Sequence, residues 1–185
     1  KYAEGIYFKT PSGGLFVNLF IPSVLNWKEK NVVITQQNNF PTESFSKLKI
    51  STKKVVEFAI QLRCPSWSTN GMQVLVNGVD QRLATKAGSY ANLSRKWKNG
   101  DEIELGFDMH LRTEAMPDDA SKVAVFYGPV LMAGLLGTEK PGVQGVPVLV
   151  TNNQPVNKWL QRTDANNLSF KTVDAAMPND LTLKP

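Results

Sequence analysis

Val56-Glu57-Phe58-Ala59-Ile60-Gln61-Leu62 puts apolar side chains at its even positions and small or polar ones at its odd positions. Strand side chains point to opposite faces in turn, so this pattern describes an antiparallel strand with one face in a core and the other in water. Working outward, Glu102-Ile103-Glu104-Leu105-Gly106-Phe107 alternates in the same way, with Ile103, Leu105 and Phe107 inward. Met72-Gln73-Val74-Leu75-Val76 runs into Asn77-Gly78, two residues that tolerate positive φ, as a type I′ hairpin turn requires. Residues 89–93 and 95–97 read as further strands, and Lys98-Asn99-Gly100-Asp101 reads as a second tight turn. Residues 15–21 alternate too, but Phe16 and Phe20 occupy the second face. That strand is expected to be covered on both sides. Residues 122–127, 130–133, 146–151, 168–173 and 181–183 are later strand candidates. The stretch 135–145, with Gly137, Pro141, Gly142 and Gly145, is linker-like. No window of a dozen residues carries the i, i+3, i+4, i+7 spacing of an amphipathic helix.

Short strand signals separated by Gly, Pro and Asn predict an all-β fold. The expected architecture is an antiparallel β-sandwich, immunoglobulin-like or jelly-roll-like, built as one elaborated domain or as two packed sandwiches. Residues 46–110 read as one compact sandwich. In the division expected here, residues 1–45 plus 111–135 form a first sandwich with 46–110 inserted in it. Residues 136–185 then supply a linker and C-terminal strands, cut short at Pro185. The opening Lys1-Tyr2-Ala3-Glu4 has no initiator Met and no apolar signal segment, so the chain reads as a piece of something longer.

An apolar fraction of 42% and a charged fraction of 20% over 185 residues are ordinary for a globular chain with a real core. No apolar run approaches the roughly 18 residues of a membrane helix, so no membrane partner is expected. The net charge of +5 is unevenly spread: residues 1–100 hold 14 Lys/Arg against 5 Asp/Glu, and residues 101–185 hold 7 against 11. A basic half would suit an anionic partner. However, Lys53-Lys54 and Arg95-Lys96 sit beside strand-like segments, where charge keeps sheet edges solvated. No nucleic-acid motif accompanies them, and no nucleic-acid partner is expected. One cysteine and one histidine exclude an intramolecular disulfide and a Cys/His zinc cluster of about four ligands. No cofactor is expected in this chain.

Candidate chemistry is sparse. Cys64 shares the inward parity of Phe58, Ile60 and Leu62, while its neighbour Arg63 points the other way, so a buried filler is favoured over a nucleophile. His110, in Asp108-Met109-His110-Leu111-Arg112, reads as a half-exposed strand residue, and no Gly-x-Ser-x-Gly elbow exists to make a triad with it. Glu102 and Glu104 could pair for glycoside hydrolysis, but the alternation that places them together also explains them as solvated. Asp118-Asp119, after Met116-Pro117, read as a turn. No catalytic residue is assigned. Sugar-binding faces use exposed aromatic rings, and the candidates are Trp27, Trp67 and Trp97, with Tyr90 and Trp159 behind them.

The run Tyr7-Phe8 … Leu15-Phe16-Val17-Asn18-Leu19-Phe20-Ile21-Pro22-Ser23 resembles the segment just after the catalytic barrel in bacterial β-L-arabinofuranosidases, glycoside hydrolase families 127 and 146. The likeness continues through Leu62-Arg63-Cys64-Pro65-Ser66-Trp67, Val76-Asn77-Gly78, Trp97-Lys98-Asn99-Gly100-Asp101, residues 109–117 and Lys122-Val123-Ala124-Val125-Phe126-Tyr127-Gly128-Pro129-Val130-Leu131. Each motif alone is weak; their order and spacing together are more specific. The resemblance implies an (α/α)6 barrel, absent from this chain, followed by β-sandwich domains. It places a zinc bound by cysteines and a glutamate, a cysteine nucleophile and a glutamate acid/base in that barrel. None of these maps onto this sequence, and Cys64 falls where relatives commonly carry an apolar or aromatic residue. The expected role is therefore a non-catalytic accessory domain whose partner is its own barrel. The alternative is a carbohydrate-binding module that meets a plant-type polysaccharide through Trp27, Trp67 or Trp97. A third reading, a hydrolase using Cys64 or His110, is the weakest of the three. The resemblance also implies a periplasmic or extracellular bacterial location.

Overall fold

A computed structural model describes residues 3–137, 148–164 and 167–185 of the chain. The chain divides into two compact units, residues 1–108 and 109–185. Among the described residues no helix is long and apolar enough to cross a membrane.

The first unit is a β-sandwich of two sheets. One sheet holds β1 (Tyr7–Lys9), β2 (Leu15–Val17), β6 (Val56–Arg63) and β9 (Tyr90–Trp97), in the order β1-β2-β6-β9. The other holds β3 (Ser23–Trp27), β4 (Val32–Gln37), β5 (Phe45–Thr52), β7 (Met72–Val76), β8 (Val79–Asp80) and β10 (Glu102–Phe107), in the order β3-β4-β5-β10-β7-β8. Every pairing is antiparallel except β2 on β6. The sheets share one core: Val17, Ile60, Leu62 and Leu93 from the first meet Ile34, Leu48, Ile50, Val74 and Leu105 from the second. Each fully buried aliphatic side chain of this kind stabilises the fold by about 1.5–3 kcal/mol.

The alternation read at residues 56–62 is the burial pattern of β6, with Phe58, Ile60 and Leu62 enclosed. The runs expected over residues 89–93 and 95–97 are one strand, β9, which begins at Tyr90 and continues through Ser94. Asn77 and Gly78 take φ of 51° and 76° between β7 and β8, and Val76 faces Val79 across the turn. The turn 98–101 carries the chain from β9 in one sheet to β10 in the other, closed by the Asp101 N–H donating to the Lys98 carbonyl at 3.2 Å.

The strand expected over residues 15–21 is shorter. β2 ends at Val17, and the Asn18 N–H donates to the Ile6 carbonyl. Beyond it the buried side chain of Gln36 takes the place of a pairing strand: its Nε2 donates to the carbonyls of Leu19 at 3.1 Å and Ile21 at 2.7 Å. Backbone polar groups near a core must find partners, and an amide side chain has satisfied two here.

The second unit contains one six-stranded antiparallel sheet. Its strands are β11 (Leu111–Ala115), β12 (Val123–Tyr127), β13 (Val130–Gly134), β14 (Leu160–Asp164), β15 (Ser169–Thr172) and β16 (Thr182–Lys184), in the order β11-β12-β13-β16-β15-β14. A single helical turn, α1 (Val156–Trp159), precedes β14 and buries Trp159 with Val125, Met132, Leu160, Phe170 and Leu183.

These pairings differ from the expected division of the chain. β2 lies against β6 and β4 against β5, so residues 1–45 and 46–108 are interleaved in both sheets of one sandwich. β13 pairs with β16 through Ala133–Lys184 and Gly134–Leu183, so residues 111–135 belong with the C-terminal strands and not with residues 1–45. The short period-two runs reveal that strands exist, but partner choice depends on contacts remote in sequence. Most of the linker-like stretch, and the start of the strand expected over 146–151, lie outside the described residues. Of that strand, Val150 makes an isolated bridge to Met177.

Candidate functional site

Two of the three tryptophans expected to meet a sugar belong to the core. Trp97 is fully enclosed, its ring 5.8 Å from Phe58 and its Nε1 donating to the Phe58 carbonyl at 3.0 Å. Trp27, at the end of β3, is buried edge-on against Phe58 at 5.2 Å. Parity carried the warning: Trp97 lies an even number of residues from Ala91 and Leu93, which are also buried. The polar neighbours Asn26 and Lys28 concealed Trp27. Trp159 is buried too, with Nε1 donating to the Gln154 carbonyl.

Trp67 is half-buried and stands at one end of the sandwich. It stacks on Phe40 at 6.0 Å and 20° and contacts Phe107 at 5.8 Å. With Asn18, Leu19, Ile21, Arg63 and Pro65, the rings of Trp67 and Phe40 line a groove of about 300 Å³. The groove is where the Gln36-tethered segment leaves β2. Among the described residues its only titratable lining side chain is Arg63, exposed at the end of β6 and without a hydrogen bond or ion pair there. An arginine can bind or orient an anion, but it cannot act as a general acid or base at neutral pH.

The outer face of the β1-β2-β6-β9 sheet adjoins this groove. Phe16 stands on it, because its neighbours Leu15 and Val17 are buried. Phe8 is its cross-strand partner and is 50% exposed. Tyr90 is 42% exposed and meets Phe16 edge-on at 5.0 Å. The Tyr90 hydroxyl donates to Asn18 Oδ1 at 2.6 Å, linking the face to the groove. Gln61 Nε2 donates to Asn92 Oδ1 beside them. Of this group the sequence singled out Tyr90 and noted Phe16 on the second face of its strand; Phe8 was missed as a surface residue.

The opposite outer face, on the β3-β4-β5-β10-β7-β8 sheet, mixes a charged cluster with scattered apolar residues, Phe45 beside Lys47 and the exposed Val24 on the edge strand β3. Lys47 lies between Glu102 and Glu104, with contacts of 3.3 and 2.8 Å, and both carboxylates hold its ammonium pKa up. These glutamates bracket a lysine and do not flank an open cleft.

Cys64 is fully enclosed, and burial pushes its thiol pKa up, away from the thiolate that attack or metal ligation needs. Its N–H donates to the Ser89 carbonyl at 2.8 Å and its carbonyl accepts from Gly88. His110 is half-buried at the entry to β11, where its carbonyl accepts from the Gly128 N–H. Asp119 lies in a turn, accepting from both the N–H and the hydroxyl of Ser121. A hollow of about 380 Å³ beside Met72 holds one carboxylate, Asp108, which accepts from Asn70 Nδ2 at 2.8 Å. In the second unit, a hollow of about 760 Å³ between residues 113–125 and 148–159 has no titratable side chain among the described residues of its lining. Among the described residues no three His, Cys, Asp or Glu side chains converge as metal ligands. The zinc attached to the resemblance therefore has no fit in the described residues.

The sequence of residues 14–109 matches the model of the β-L-arabinofuranosidase GH127 middle domain. The matched stretch falls almost wholly within the sandwich unit, residues 1–108. Among solved structures, Ara127N-Se, a GH127 β-L-arabinofuranosidase from Geobacillus stearothermophilus T6, is 31% identical, with 71% of this chain and 21% of that one covered and a TM-score of 0.61. A glycoside hydrolase is 27% identical over 69% of this chain and 22% of its own, with a TM-score of 0.60. The GH127 β-arabinofuranosidase BT3674 shares the fold at 22% identity over 96% of this chain and 32% of its own, with a TM-score of 0.61. No curated protein matches the chain. The chain spans between about a fifth and a third of the length of the solved structures it matches.

Proposed function

Because this chain belongs to the family of GH127 β-L-arabinofuranosidase middle domains, we propose that it is the accessory β-sandwich region of a longer glycoside hydrolase, packed against a catalytic barrel and holding it rigid. The observation that carries the proposal is the near-coincidence of the family match, residues 14–109, with the sandwich unit, residues 1–108. A middle domain is a unit between others, and solved relatives three to five times its span supply room for them. The chemistry of the described residues agrees. Most glycosidases set two carboxyl groups across one cleft, and a cysteine-dependent one needs a reactive thiol beside a carboxyl group. Among the described residues the groove beside Trp67 has no carboxyl group, the hollow beside Met72 has one, already engaged, and Cys64 is enclosed.

Hydrolysis of p-nitrophenyl β-L-arabinofuranoside tests the proposal. The longer polypeptide is expected to release nitrophenol, and the 185-residue chain alone to give no rate above buffer. Turnover by the isolated chain, or a parent gene encoding no further domain, would overturn it.

A further inference from the structure

We infer that the outer face of the β1-β2-β6-β9 sheet, centred on Phe8, Phe16 and Tyr90 and running past Asn18 to Arg63 and Trp67, is the surface on which the catalytic domain of the same polypeptide docks. The inference rests on the proposed function and adds which face is used and what chemistry meets it.

The two outer faces of the sandwich are unlike. One carries Lys47 bridged to Glu102 and Glu104, a pattern suited to water, and its exposed apolar side chain Val24 stands apart on the edge strand β3. The other carries three aromatic rings within one patch, two of them exposed by 42% and 50%. Single exposed apolar residues are ordinary, but a contiguous aromatic patch rimmed by amides marks an interaction surface. Aromatic residues and arginine are also the types that dominate interface energetics. The patch is ordered from within: Phe16 packs edge-on against Tyr90, Tyr90 is anchored on Asn18, and Gln61 is anchored on Asn92. Pre-ordered rings lose little entropy on docking.

Two observations select the occupant. The solved relatives carry three to five times the matched length in one chain, so a large domain is tethered beside this unit at high effective concentration. Arg63 paired with Tyr90 across β6 and β9 has no acidic partner among the described residues, so the docked surface should offer a carboxylate to it and apolar side chains to the rings.

The test compares thermal unfolding of the longer polypeptide and of the 185-residue chain, each with the double substitution Phe8→Ser and Tyr90→Ser. Tyr90 gives up its Asn18 hydrogen bond and its Phe16 contact, so the isolated chain should lose a few degrees of its own. The longer polypeptide should lose at least about 4 °C more than the isolated chain does, or split one transition into two. Arg63→Glu should act in the same direction, with partial recovery at high salt. Val24→Ser, on the opposite outer face and 67% exposed, should leave both proteins unchanged. If the wild-type polypeptide melts cooperatively and its Phe8/Tyr90 variant loses no more than the isolated chain does, the docking face is wrong while the proposed function stands. If the wild-type sandwich and barrel already melt independently, the proposed function fails and the inference with it. If the wild-type 185-residue chain dimerises and the double variant is monomeric, the face joins two copies and the inference is overturned.

Discussion

Asp101 anchors the turn between β9 and β10 with both carboxylate oxygens. Oδ2 accepts from the Lys98 N–H at 2.8 Å and Oδ1 from Asn77 Nδ2 at 2.9 Å, so one acid ties the 98–101 turn to the Asn77-Gly78 turn. Burial raises its pKa, but those hydrogen bonds and the charges of Arg95 and Lys98 outweigh burial and hold it below the ordinary aspartate value. A lowered folded-state pKa contributes stability that is fully present above the unfolded value, about pH 4, and is lost as pH falls through the folded value. Asp101→Asn is therefore expected to cost about 1–3 kcal/mol at pH 7 and progressively less toward pH 3, read from urea melts at a series of pH values. An equal cost at both ends would contradict this. Cys64 gives a second test. Enclosed and with its thiol pKa raised, it should resist iodoacetamide in the native chain and react only as urea unfolds it. Fast native labelling would show that the core is open there. The inward position of Cys64 was legible from parity alone. Asp101 was legible as a turn residue and no more, because its partner Asn77 is 24 residues away.

Elements were legible where the period was clean, as in β6, β7 and β10. β4 was missed although Val32, Ile34 and Gln36 alternate inward, because Gln36 places a polar side chain in the core. That same residue ends the strand expected over 15–21 by bonding the Leu19 and Ile21 carbonyls. A strand partner supplied by a side chain leaves no trace in the hydrophobic pattern of the segment it holds. Close approach is similarly invisible. Gly14 opens onto β2 where a Cβ would stand 2.6 Å from the Ala59 carbonyl oxygen on β6. Its N–H donates to Thr10 Oγ1 at 2.7 Å, which fixes Gly14 in the β1–β2 connection. Gly14→Ala should force β2 away from β6 and destabilise the sandwich by about 1–3 kcal/mol, a loss of several degrees in melting temperature. An unchanged melt would mean that the parallel pair is looser than described.

For the molecule as a whole, composition and alternation were enough for an all-β fold, and one cysteine with one histidine narrowed the chemistry sharply. Domain limits were not legible. The interleaving of residues 1–45 with 46–108, and the pairing of β13 with β16, depend on long-range register that no local run encodes. The sugar-binding reading of Trp27 and Trp97 failed because a tryptophan next to polar residues can still turn inward, and both do. The aromatic surface lies instead at Phe8, Phe16 and Tyr90, brought together from three strands of one sheet. The proposed function has the sandwich support a catalytic domain elsewhere in a longer polypeptide. Thermal inactivation of the proposed arabinofuranosidase activity of the longer polypeptide, with and without residues 1–108, tests this most directly. Removal of the sandwich is predicted to shorten the half-life of activity by at least tenfold, or to abolish folding of the barrel. Equal turnover and equal half-life in the two proteins would contradict it.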